Sequence, residues 1–140
     1  MKYCGYLFVF FLLFIGDVKA DMICVKDKVC YNIEVAKDEK DLMRGLMFVK
    51  SMPKDKGRLF DFRAYDYRDI SMWMKNTFIP LDMIFINCDG VIVDVKENAK
   101  PLSLEYIKSE KEFCYILEVN GGEFKERGLE IGDKFEGICK

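Results

Sequence analysis

Leu81-Asp82-Met83-Ile84-Phe85-Ile86-Asn87 runs through Cys88-Asp89-Gly90 directly into Val91-Ile92-Val93-Asp94-Val95. Two apolar, β-branched stretches around an Asp-Gly pair are the strongest short-range sign of a β-hairpin, because these turn residues tolerate the positive φ of a tight reversal. Upstream, Val29, Tyr31, Ile33 and Val35 alternate with Cys30, Asn32 and Glu34, the period of a half-buried strand. Asp38 then offers an N-cap, Glu39 and Asp41 put acid in a first helical turn, and Gly45 suits a left-handed end, so a short helix is expected over 38–45. Residues 52–57, with Pro53, read as a loop, and 58–62 and 70–74 as two strands, the second with Met72 and Met74 on one face and Trp73 on the other. Downstream, the polar stretch 96–112 with Pro101 forms an excursion holding at most a helical turn. Residues 113–119 alternate as a strand, 123–127 can make a helical turn or two, and Ile131-Gly132-Asp133 turns into a last strand over 134–138. Seven short strands separated mainly by turns, with one or two short helices and no repeat, predict a mainly β fold. An antiparallel jelly-roll-like sandwich or barrel fits best.

Residues 1–20 read as a cleaved signal peptide: Lys2, an apolar run over 6–15, and Val18-Lys19-Ala20 before the cut. As a helix that run would span about 15 Å, half a bilayer core, so no permanent membrane span is expected after cleavage. The mature chain should begin at Asp21, form one domain over 21–140, and reside in the periplasm or cell envelope. Without the leader it keeps 20 basic and 23 acidic residues and no basic run, which argues against nucleic acid as a partner. The sequence has no histidine, which excludes Ser-His-Asp and Cys-His catalysis and His-containing zinc sites. No cofactor and no metal are expected.

Export carries Cys24, Cys30, Cys88, Cys114 and Cys139 to where disulfides persist, and the odd number leaves the pairing open. No C-x-x-C occurs, so a thioredoxin-like dithiol is not expected. The simplest reading makes Cys88 and Cys114 small buried hydrophobes, with Cys24, Cys30 or Cys139 tying down a terminus.

Four segments carry a resemblance: Arg44-Gly45-Leu46-Met47-Phe48; Met72-Trp73-Met74-Lys75-Asn76-Thr77-Phe78-Ile79-Pro80-Leu81-Asp82; Asp89-Gly90-Val91-Ile92; and Leu117-Glu118-Val119-Asn120-Gly121-Gly122 with the later Ile131-Gly132-Asp133. Over about residues 29 to 136 the chain resembles the bacterial and archaeal domain of unknown function 192 family, and 97–103 resembles its exported branch. The resemblance implies a mostly β, jelly-roll-like fold and brings no reaction. The cysteines do not belong to the shared motifs.

The polar residues inside those motifs, Arg44, Trp73, Lys75, Asn76, Asp82, Glu118 and Asn120, are the candidate ligand-binding set. Asp82 and Glu118 each interrupt an apolar strand, and an acid on an inner face must be paired or hydrogen-bonded, so a structural salt bridge with Arg44 or Lys75 is one reading. A Trp face beside carboxylates, an amide and a cation is also how proteins hold polar rings such as sugars. The expected activity is therefore non-catalytic binding of a polar small molecule or glycan at the cell envelope. Two alternatives stand: a hydrolase or lyase with Asp82 and Glu118 as the catalytic acid and base, and a protein-interaction or assembly factor using an exposed apolar patch. The alternation of 113–119 puts Tyr115, Leu117 and Val119 toward the core and Glu118 on the other, part-exposed side.

Overall fold

A computed structural model of the protein describes residues 21–138. Residues 1–20, where a signal peptide is expected, and Cys139 lie outside that range. The strands are β1 (Asp21–Val25), β2 (Val29–Ala36), β3 (Lys56–Asp61), β4 (Leu81–Ile86), β5 (Ile92–Ala99), β6 (Tyr115–Asn120) and β7 (Phe135–Glu136), with helices α1 (Glu39–Arg44) and α2 (Glu123–Glu126). All seven join one sheet in the order β5-β4-β6-β3-β2-β1-β7. The sheet curls until its ends meet: the Ile92 N–H donates to the Asp133 carbonyl at 2.8 Å and the Phe135 N–H to the Gly90 carbonyl at 2.9 Å. The result is a mainly β, curled half-barrel with two short helices. One pair departs from the antiparallel expectation. β2 and β3 run parallel, because the intervening segment with α1 carries the chain back before it re-enters the sheet.

The central hairpin forms where expected, with the Asn87 side chain accepting from the N–H groups of Asp89 and Val91 across the turn. Gly90 has φ +88°, and a Cβ there would stand 2.7 Å from the Phe135 carbonyl, so glycine is required for both conformation and room. β5 continues past its expected end at 95 to Ala99, because an edge strand can carry Lys96, Glu97 and Asn98 toward solvent. β1 escaped the sequence reading. It pairs with β2 through a tight turn whose left-handed residue is Asp27 (φ 60°) rather than glycine. Residues 70–74 make no strand; Met72 forms a single bridge to Ile107, yet Met72 and Met74 are buried while Trp73 is half-buried, as the alternation predicts.

Two apolar clusters lie on opposite faces of the sheet. Inside the curl, Ile23, Tyr31, Ile84, Ile86, Leu117, Val119 and Phe135 pack together with Phe124 and Leu129 from the α2 region. On the outer face, Phe60, Met83, Phe85 and Ile116 are covered by Leu46, Phe62, Met72, Met74 and Phe113 from the connections. Every residue of β4 is buried as a result, which is why its sequence runs apolar on both faces.

Disulfides join Cys24 to Cys30 across the β1–β2 pair, and Cys88 to Cys114. The second corrects the reading of Cys88 and Cys114 as unlinked hydrophobes. Cys88 sits exposed in the hairpin turn beside the start of β6, where the Cys114 N–H donates to the Ile86 carbonyl at 2.9 Å. Sequence alone does not bring the two together, because they are 26 residues apart.

Asp38 caps α1 by accepting from the Asp41 N–H at 2.8 Å, and the Gly45 N–H closes it on the Asp41 carbonyl. Gly45 has φ 48° as expected, but its ψ of −127° lies outside the left-handed helical region, in territory that only glycine visits freely. A Cβ there would also approach the Phe60 ring to 3.1 Å. Gly45→Ala is therefore expected to cost about 2 kcal/mol. Urea melts of the variant check it, and an unchanged midpoint would mean that the backbone relaxes at this position.

Candidate functional site

α1 and the connection 62–77 lie over the outer face of the sheet without filling the space between them. The remaining cavity is about 560 Å³, walled by Leu42, Leu46, Phe60, Phe62, Met72 and Trp73; Glu118 and Thr77 are its buried polar lining groups, and exposed Glu39, Arg44, Tyr65, Asp69 and Ser71 line it as well. Glu118 reaches it from β6, opposite Arg58 of β3 and Met83 of β4.

Glu118 lies on the face opposite Tyr115, Leu117 and Val119, as the alternation predicts, but it is only 3% exposed, because the connections cover that face too. Part-exposure is thus corrected to burial. Its Oε2 has no hydrogen-bond partner among the described residues. Desolvation pushes the carboxyl up to about 8, with Arg58 opposing only in part. Arg58 is occupied elsewhere: its guanidinium lies 3.2 Å from Glu34 and 3.7 Å from Asp41. At neutral pH Glu118 is therefore mostly a neutral acid, able to donate one hydrogen bond into an apolar cavity.

Arg44 and Trp73 line the same cavity, Arg44 exposed at the end of α1. No ion pair links Arg44 to Glu118 among the described residues. Trp73 stacks on Tyr106 with ring centres 6.2 Å apart, and Lys75 Nζ stands 5.0 Å from the indole centre. Asn76 turns the chain with φ 54° and its carbonyl accepts from the Phe48 N–H at 2.8 Å.

Asp82 and Asn120 go elsewhere. Asp82 is fully buried on the inner face; Oδ1 accepts from the Asn98 N–H at 2.8 Å and the Gly122 N–H at 3.0 Å, and Oδ2 from the Phe124 N–H at 2.9 Å. It fastens β5 and the start of α2, whose own N-cap, Gly122, has no side chain to do so. The Asn120 amide donates to the Met52 carbonyl at 2.8 Å, fixing the loop before β3. Asp82 pairs with Val119 and Glu118 with Met83, so the two acids face opposite sides of the sheet and cannot bracket one bond.

The arrangement can hold a small molecule against an apolar wall and offer it a hydrogen bond from the buried Glu118 carboxyl. Residues 22–137 match the family model described as DUF192, uncharacterized ACR. The chain belongs to this family. A solved structure, a protein of unknown function from Novosphingobium aromaticivorans DSM 12444, is 29% identical, with TM-score 0.76 over 82% of this chain and 83% of that one. Another, a putative transcription regulator from Sinorhizobium meliloti 1021, is 39% identical, with TM-score 0.76 over 85% of this chain and 92% of that one. The comparison with curated proteins returned no match. In this DUF192 chain the sequence reading missed Thr77, Tyr106 and the apolar wall of Phe60, Phe62 and Met72. They come from separate connections and share no local pattern. The one available signal was Glu118, an acid in a strand with apolar residues on both faces.

Proposed function

We propose that the protein is an exported, non-catalytic binding protein whose outer-face cavity takes a small ligand with an apolar body and one hydrogen-bond acceptor. Glu118 carries this reading: a buried carboxyl with an unpartnered oxygen at a cavity of about 560 Å³ is costly unless something uses it. An apolar buried wall with polar residues at its exposed edge, Glu39, Arg44, Asp69 and Ser71 among them, narrows the polar ligand expected from sequence to an amphipathic one. A sugar ring would need a free indole face, and Tyr106 and Lys75 already stand against Trp73. Export is supported by the leader-like residues 1–20 and by the two disulfides, which suit an oxidising compartment. Transcription regulation, the description carried by the Sinorhizobium structure, finds little support: helices of six and four residues are too short to read a major groove.

Benzamide, ε-caprolactam and methyl β-glucoside titrated into ¹⁵N-labelled protein test the proposal. The two amides are expected to shift the Trp73 indole N–H and the Gly45 and Glu118 amides, and to bind roughly tenfold more weakly at pH 9.5, where Glu118 no longer donates. Saturation by the glucoside alone would restore the glycan reading, and silence from all three would sink binding at this cavity.

A further inference from the structure

Beside the cavity, three loop tips meet. The Phe48 N–H donates to the Asn76 carbonyl at 2.8 Å and the Leu102 N–H to the Thr77 carbonyl at 3.0 Å, and the Phe48 and Phe78 rings pack edge to face at 6.0 Å. Phe48, Phe78, Leu102 and Leu104 are all exposed, each by about half or more of its surface. Phe48 and Leu102 have φ of 66° and 64°, a conformation that bulky residues rarely adopt and that costs folding energy.

The same tips carry Lys50, Lys75 and Lys100, and Lys100 joins Lys96 and Lys108 around an open cavity of about 520 Å³ that includes Tyr106. Among the described residues none of these five lysines has an ion-pair partner; Lys26, Lys37, Lys40, Lys111 and Lys134 have none either, so what marks the five is their grouping around the tips and the cavity. Glu105 is the single acid lining that cavity. In a chain of net charge −2 this is a local concentration of uncompensated positive charge around exposed apolar tips.

We propose that this face docks on an anionic lipid surface, with Phe48, Phe78, Leu102 and Leu104 entering the interface and the five lysines meeting the headgroups. Charge complementarity selects an anionic partner, and exposed apolar tips from three separate loops suit a fluid interface better than a groove in another protein. Trp73 and Tyr106, which stack on each other close in sequence to Lys75 and Leu104, are aromatic rings with polar edges, the kind that favours headgroup depth. No helix among the described residues is long and apolar enough to cross a membrane, so the attachment is peripheral.

Co-sedimentation of residues 21–140 with vesicles of phosphatidylcholine containing 30% phosphatidylglycerol, against pure phosphatidylcholine, tests this. Binding is expected to the anionic vesicles only, and to weaken with salt. Lys100→Glu with Lys108→Glu should lower it at least tenfold, taking about fivefold per lysine. Phe48→Ser with Leu102→Ser, checked for native circular dichroism, should lower it by a similar factor. Equal binding to both vesicles, or none to either, overturns the proposal. So does a Phe48→Ser, Leu102→Ser variant that binds as the parent does, or a parent that binds an acidic peptide or a DNA oligonucleotide as tightly as the vesicles.

Discussion

Glu118→Gln is expected to leave stability within about 1 kcal/mol of the parent at pH 4.5 and to raise it by about 3 to 5 kcal/mol at pH 9. Burial lifts the folded-state value from 4.5 to about 8. Below 4.5 both folded and unfolded chains carry the proton and the group contributes no pH dependence. Between 4.5 and about 8 the folded chain keeps a proton that the unfolded chain releases, so stability falls as pH rises, and above about 8 it levels off at the full cost. Every tenfold difference in proton affinity between the two states is worth about 1.36 kcal/mol. Glutamine has no proton to lose and escapes the penalty. Nor does the change strand a cation, since Arg58 keeps Glu34 and Asp41. Urea melts of both proteins across this range should diverge steadily. Parallel curves would mean that Glu118 is ionised and paired in the folded chain.

Asp82→Ala carries the opposite sign. Three backbone N–H groups, from Asn98, Gly122 and Phe124, would lose their acceptor inside the protein. With about 1.5 to 3 kcal/mol for each hydrogen bond to a carboxylate, and less than full additivity, the loss should be on the order of 5 kcal/mol. Asp82→Asn keeps one oxygen but turns an amide N–H₂ toward one of the three donors, so about 3 kcal/mol is expected. Denaturant melts give the totals. Hydrogen exchange should show faster loss at Gly122 and Phe124 in particular. A well-folded, stable Asp82→Ala protein would show that water can replace the carboxyl group, and would remove the case for a purely structural role.

The parts of the fold that could be read in advance are those fixed by near neighbours. Asp89-Gly90 sets its own turn, Asp38 finds the Asp41 N–H three residues on, and the alternation of β6 sorts Leu117 from Glu118. What could not be read depends on distant segments. Whether Glu118 is wet or dry is decided by Phe62, Met72 and α1, which arrive from elsewhere and share no period with β6. Asp82 and Glu118 look alike in sequence, each an acid in an apolar strand. Only the pairing of β4 with β6 shows that one satisfies a helix start and the other faces a cavity. The same distance hid the Cys88–Cys114 link and the parallel pairing of β2 with β3.

The short β7 joins β1 on one side, and its Phe135 bonds to Gly90 at the start of the β5 edge on the other. A ribosome delivers residues 135–136 more than a hundred positions after residues 21–25. Until then β1 has only β2 beside it, and the curl cannot shut. Completion of this domain is therefore governed by closure of a long loop rather than by local propensity, and its folding should be slow for its size. Until residues 135–136 arrive, the sheet of this domain stays open between β1 and β5.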